Sequence, residues 1–497
     1  MSRPTTIDGN TQSGAPEKSS IALTGRSRWR GALIDVGYLA APLLLLGLIG
    51  LRVATTGLLQ YPDPALSGGD YYRYVNEALP NGDYFYSHIS PFLDRILVPL
   101  IVHGLILIGV PFRIGFFSLA SLSLVISTIL IFYLVRGAGL SRFEAMCASF
   151  AFVTLQWAVA FNIYEYFLVD PEAQAFVAGM LLAIQREKYA LVAVIGTVGI
   201  ICKENILVGV VFAAVQMLIP YFRPISGAVN EFFQYHFVAL IRRVPRNVWG
   251  RLAPIVAGPL ITSFIIGRVQ HPIGTNSLIG TWRHYIPTHF KWGLYGLYVQ
   301  FGVSTWVAFG ALFAIALGAL VLKIWPRGRF SIWAVFGAFL VILYSYTIAG
   351  STSSITGQLE RLSIVGWPFV LLYASITLHE LSLRLRVSAA LLWGLAFVAQ
   401  LAFQPVAGPN PPGAAIVGSE IGSFLTRYGG NIMAVVSWIF VALIAYAAWR
   451  GTSQPGTPAI AGTSGDFEDD SAHPLATTAR RPSVRGVTQP PSPSGGN

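Results

Sequence analysis

Apolar segments recur from residue 36 to residue 449, and most charged residues fall in the joints between them. A bilayer-spanning helix needs about 20 apolar residues, and many of these segments approach that length. A chain of 497 residues patterned this way does not fold around a single water-excluded core. Only 11% of its residues are charged, against 54% hydrophobic. Soluble proteins carry about 25% charged residues, so a water-soluble enzyme is excluded. The pattern predicts an all-α polytopic membrane protein.

The 33 Lys and Arg outnumber the 22 Asp and Glu, yet no compact basic domain collects them. The lipid bilayer is therefore the expected partner, and nucleic acid is not. Cys147 and Cys202 both lie in apolar runs, which implies small buried side chains and no disulfide framework. Residues 1–30 are polar and close on Arg26, Arg28 and Arg30. A cleavable signal would put its apolar core near the start, so 1–30 reads as a disordered cytoplasmic tail followed by a retained helix. Residues 451–497 are rich in Pro, Gly, Ser and Thr and cannot bury a core. They read as a second disordered cytoplasmic tail. Between the tails, 31–450 is the transmembrane domain, with a first outer loop at 55–112.

Thirteen apolar segments fall near 36–54, 93–110, 113–135, 143–162, 173–185, 189–202, 204–219, 252–267, 294–322, 330–349, 362–378, 387–403 and 431–449. Arginines at 26–30 put the N-terminus inside, because basic loops are retained in the cytoplasm. If 93–110 crossed, then Arg136, Arg142, Arg186, Lys188, Arg242, Arg243, Arg246 and Arg251 would all lie outside. If it does not, they lie inside, and so do Lys323, Arg327, Arg329, Arg384, Arg386 and Arg450. The segment also carries Asp94, Arg95 and His103. It is read as a helix on the outer face. Residues 189–219 as one helix would be about 46 Å long, with Lys203-Glu204 at the centre. Two short arms joined at an outer turn at Lys203-Glu204 keep the parity. The expectation is about 12 transmembrane helices plus non-spanning outer-face helices, with both termini cytoplasmic.

On this topology the unusual polar residues collect outside. The first outer loop contains Gly68-Gly69-Asp70-Tyr71, Asp83 and Pro91-Phe92-Leu93-Asp94-Arg95, with many tyrosines. Asp70 can cap a short helix over 70–79. It can equally act as a general base, a role worth about 10²–10⁴-fold in rate, and a loop of carboxylates and aromatic rings suits sugar binding. Asp170-Pro171 reads as a helix start, with Asp170 either a cap or a site residue at the same surface. Lys203 either binds a phosphate or neutralises Asp170 or Asp70. Lys203 and Glu204, about 100° apart on a helix, are not expected to pair with each other. Further outer cations include Arg361 at the head of 362–378, beside Glu360, and Arg427. His284 and His289 form no metal motif, and there is no Asp-x-Asp in the loops. These residues call for no cofactor, and nothing in them supports a divalent metal.

The layout resembles the GT-C superfamily of integral membrane glycosyltransferases. The resemblance spans about residues 31–220. It rests on Gly69-Asp70-Tyr71, on Pro91 to Pro99, on Asp170 and on Cys202-Lys203-Glu204-Asn205. It implies a polyprenyl-phosphate-linked sugar donor, inversion at the anomeric carbon, and a glycan, lipid or protein acceptor at the outer face of the plasma membrane. Asp70 would then be the catalytic base. Lys203, helped by Arg95 or Arg361, would steady the departing lipid phosphate, and Asp170 and Glu204 would line the substrate site. Two alternatives stay open. A transporter or flippase would carry polar groups through the bilayer in broken helices. A polysaccharide polymerase or ligase would also use lipid-linked sugar at the outer face.

Overall fold

The computed structural model describes residues 18–55, 74–75, 77–80, 95–221, 244–270, 302, 304–324, 330, 334–335, 337–340, 342, 363–404 and 419–452. No strand occurs among them. Residues 32–454 belong to one compact unit, and the described part of a second unit is the helical stretch 18–31. The principal helices are α1 (Lys18–Thr55), α2 (Leu97–Leu107), α3 (Phe112–Gly137), α4 (Arg142–Val153), α5 (Phe161–Tyr164), α6 (Asp170–Gln185) and α7 (Tyr189–Gly199). They continue with α8 (Leu207–Leu218), α9 (Arg246–Gln270), α10 (Ser304–Phe309), α11 (Ala311–Val321), α12 (Trp367–Leu385), α13 (Ala389–Phe403) and α14 (Ser419–Thr452).

Among the described residues six helical stretches are long and apolar enough to cross a membrane. They are Trp29–Thr55, Phe112–Gly137, Glu204–Tyr221, Arg246–Ile266, Ile364–Leu385 and Arg427–Arg450. Four apolar helices are shorter: α2, α7, α11 and α13. At 11 residues, α2 is about 16 Å long, too short for a hydrocarbon core of about 30 Å.

Three segments differ from expectation. Helix α1 begins at Lys18, inside the stretch read as a disordered tail. Extending an existing helix costs far less than nucleating one, so the apolar stretch that follows carries its polar N-terminal turns. The segment 143–162, read as one span, is broken: α4 meets the stretch Gln156–Tyr164 at 63°. Thr154 Oγ donates back to the Ala151 carbonyl (3.0 Å), Leu155 is extended, and the chain restarts as a π-helical turn, Gln156–Ala160. The segment 294–322 is interrupted at Gly310, whose φ of +56° lies where a Cβ is disfavoured.

Contacts between helix ends divide residues 32–454 into two poles. At the first, Arg142 Nε donates to Asp35 Oδ1 (2.6 Å), and Gln185 Nε2 donates to the Leu134 carbonyl (3.0 Å). Arg186 lies over the Tyr133 ring and Arg251 over that of Tyr189. His379 Nδ1 is 2.7 Å from Glu144 Oε1. That carboxylate also closes a capping box, with Glu144 Oε2 accepting from Ser141 N–H at 2.8 Å. At the second pole, the Phe112 and Phe116 rings contact Phe167, and Leu97 N–H donates to the Ile201 carbonyl (3.3 Å). Asp35 thus shares a pole with the end of α3, while α2 and the start of α3 lie at the other. The described helix α2 packs at the second pole, against the start of α3 and beside Ile201.

Candidate functional site

The second pole gathers four of the six residues singled out from sequence. Helix α6 opens on Asp170-Pro171, with Pro in its first turn. Val169 holds the cap position of α6, and the Asp170 carboxylate accepts from Lys203 Nζ. Both side chains are 1% exposed. The break between α7 and α8 sets up this pair. Lys203 is fully extended there (φ −165°, ψ 143°), which sends its side chain inward to α6.

Glu204, the next residue, goes a different way. Arg95 Nε donates to Glu204 Oε2 (2.9 Å), and the second guanidinium nitrogen, Nη2, reaches Oε1. This is the bidentate fork that Arg makes with a carboxylate. Arg95 Nη1 donates to the Tyr74 hydroxyl (3.0 Å). Burial alone would lower the Arg95 pKa, but Glu204 and Tyr74 outweigh it and hold it well above its ordinary value. The Arg95 side chain is 7% exposed and that of Glu204 36%, so Glu204 is the one member of the two pairs that reaches the surface.

Of the two readings of Lys203, the pair with Asp170 bears out the second, neutralisation of that carboxylate, and Arg95 is paired with Glu204. Each cation is held by a carboxylate, because a buried cation without a counter-charge costs several kcal/mol. Lys203 thus pairs with Asp170 and Glu204 with Arg95. Asp70 and Arg361 lie outside the described residues. So do His284, His289 and Glu360. Within the expected 70–79 helix, Leu79 N–H donates to the Val75 carbonyl (3.0 Å), one α-helical bond.

Two features escaped the sequence reading. Tyr74 is one tyrosine among 21, and nothing in its neighbours marks it. It joins the first outer loop to Arg95, four residues after Asp70. His103 Nδ1 lies 2.9 Å from the Ala78 carbonyl oxygen and ties the same loop to α2. Had His103 been read as a helix-to-loop anchor, it would have been found. Glu172 is buried, and its Oε2 has no hydrogen-bond partner. The pole therefore holds carboxyl groups beyond those of its two ion pairs. Among the described residues, no three His, Cys, Asp or Glu side chains come together as a metal site.

If Arg95 and His103 anchor the loop, Arg95→Ala or Tyr74→Phe loosens it without unfolding the bundle. Limited proteolysis of the full chain in detergent should then cut within 56–94 several-fold faster than in the wild type. Equal cutting rates would mean that these bonds do not hold the loop.

Comparison of the chain with protein-family models, with curated proteins and with solved structures returns no match.

Proposed function

We propose that this chain is a GT-C-type membrane glycosyltransferase. It moves a sugar from a polyprenyl-phosphate donor to a glycan, lipid or protein acceptor at the outer face of the plasma membrane, with inversion. The observation that carries the reading is the tether from Glu204 through Arg95 to Tyr74. It ties Tyr74, four residues after Asp70, to the pole that also holds the Lys203–Asp170 pair. Asp70 takes the proton of the acceptor hydroxyl. With Lys203 and Arg95 held by carboxylates, Arg361 is the remaining candidate, of the three named, for stabilising the departing phosphate. The Arg95–Glu204 and Lys203–Asp170 pairs act as the rigid support of the loop. No cofactor is assigned.

The reading carries about 12 crossings with both termini cytoplasmic. It is supported by the first pole, where Arg136, Arg142, Arg186, Lys188, Arg251, Arg384 and Arg386 collect at helix ends, as cytoplasmic ends do. Single cysteines at Ser87 and Thr356 should react with an impermeant thiol reagent in intact cells, and one at the exposed Lys188 should not. Native Cys147 and Cys202 are buried and give little background. Labelling at Lys188 from outside would reverse the orientation.

The enzymatic reading is tested by supplying membranes with labelled polyprenyl-phosphate sugars and following donor consumption. Transport is the second reading, favoured by the two interrupted spans. Neither break, at 154–156 or at 309–311, carries an ionisable residue, which weighs against ion coupling. Donor translocation without consumption would favour it. A polymerase or ligase would consume the same donor and yield a lengthened glycan.

A further inference from the structure

At the first pole two helices begin side by side. Arg251, in the second turn of α9, lies over the ring of Tyr189, the first residue of α7, 5.6 Å from its centroid. Further along both helices, a Cβ on Gly258 would meet Thr197 Oγ1, and one on Gly196 would lie 3.3 Å from Pro259. Helices α7 and α9 therefore run parallel in close contact. Both N-terminal ends, with their partial positive charge, lie at this pole.

Three cations surround these ends. Lys188 immediately precedes α7, and Arg186, just past α6, lies over the Tyr133 ring at 5.8 Å. Arg186, Lys188 and Arg251 are all exposed. Among the described residues none of the three side chains makes an ion pair or donates a hydrogen bond. Other cations of the chain are already spent: Arg142 binds Asp35, and Arg384 binds Glu380. The tyrosine rings hold the two guanidinium faces and leave the in-plane N–H donors unused. Glu187 is the one carboxylate within 186–189 and 246–254, so the cluster keeps a net positive charge.

Unused Arg and Lys donors around a net positive charge match a phosphate oxyanion. What lies beside them decides which phosphate. Leu191, Val194 and Val198 of α7 are exposed, the first two by half or more. At 100° per residue they fall within about 60° of one another, and the stripe starts one turn after Lys188. A free phosphate would use the cations alone, whereas a lipid uses the cations and the apolar stripe together.

We propose that Arg186, Lys188 and Arg251 bind the headgroup phosphate of an anionic phospholipid, whose acyl chains lie along Leu191, Val194 and Val198. Basic pockets between membrane helices take acidic headgroups in this way. A zwitterionic lipid carries the same phosphate, but its own ammonium group is repelled by the cluster. This inference is independent of the enzymatic reading.

Native mass spectrometry of the full chain in a neutral detergent, titrated with dioleoyl-phosphatidylglycerol or dioleoyl-phosphatidylcholine, tests it. The first phosphatidylglycerol should bind tighter than the first phosphatidylcholine by roughly ten-fold or more. Arg186→Gln, Lys188→Gln and Arg251→Gln together should remove that preference. Arg113→Gln, Lys323→Gln and Arg427→Gln together remove the same charge at other exposed positions and should keep it. If the first triple variant folds poorly, Lys188→Gln alone, which leaves no ring uncovered, should still weaken the preference several-fold. Equal affinity of the wild type for the two lipids would overturn the proposal. So would an undiminished preference in a folded variant of the cluster, or an equal loss in the control triple. Displacement of the lipid by glycerol phosphate at matching concentration would overturn the lipid as ligand.

Discussion

A Lys203→Met variant is expected to lose roughly 3–5 kcal/mol of stability, the usual cost of breaking a buried pair by removing one partner. The sign follows from burial. Asp170 is 1% exposed, and Lys203 lies against its carboxylate as a counter-charge. The partial positive charge at the start of α6 offers some relief, which places the loss toward the lower end. Replacing both partners removes the orphan, so Lys203→Met combined with Asp170→Asn should recover most of the loss. Thermal unfolding of the purified chain in detergent measures both. Arg95→Ala is the comparison: its partner Glu204 is 36% exposed and can be solvated, so its loss should be smaller. A Lys203→Met protein as stable as wild type would remove the pair from any structural role. It would also return Lys203 to the list of cations free for a phosphate.

The largest effect on activity is expected at Asp70. Asp70→Asn should lower glycosyl transfer by about two to four orders of magnitude while expression, insertion and donor binding persist. Asn matches Asp in size and ranks with it as a helix cap, but it cannot accept a proton as a carboxylate does. A purely capping Asp70 would therefore leave activity near normal. Asp83→Asn and Asp94→Asn share the loop and serve as controls. Loss confined to either of them would keep the class and move the base. Full activity in all three variants would exclude catalysis by this loop and bring transport forward.

Charge spacing and segment length carried much of the architecture. The exclusion of α2 as a span came from counting arginines, and the Asp35–Arg142 contact and the 11 residues of α2 agree with it. The break at Lys203-Glu204 was legible because two adjacent ionisable residues between apolar runs cannot sit at the centre of a bilayer cheaply. The breaks at Leu155 and Gly310 were not. Thr154-Leu155-Gln156 and Phe309-Gly310-Ala311 are apolar or weakly polar, and hydropathy does not distinguish a glycine that interrupts a helix from one that lies within it.

The sequence by itself determined that the chain is helical and apolar enough to cross a membrane repeatedly, and where its ionisable residues stand along the chain. These follow from composition and period, which are local. Only the tertiary structure decided the partners. Lys203 chose Asp170, 33 residues away, and Glu204 chose Arg95, 109 residues away. Gln404 reached Gln156 across 248 residues. Each choice depends on which helix ends meet at a pole, and no local pattern encodes that. In a low-dielectric interior a charge must be neutralised by whatever opposite charge the packing brings within reach, so residues that look like an exposed cationic site on paper become the pairs that hold the site together.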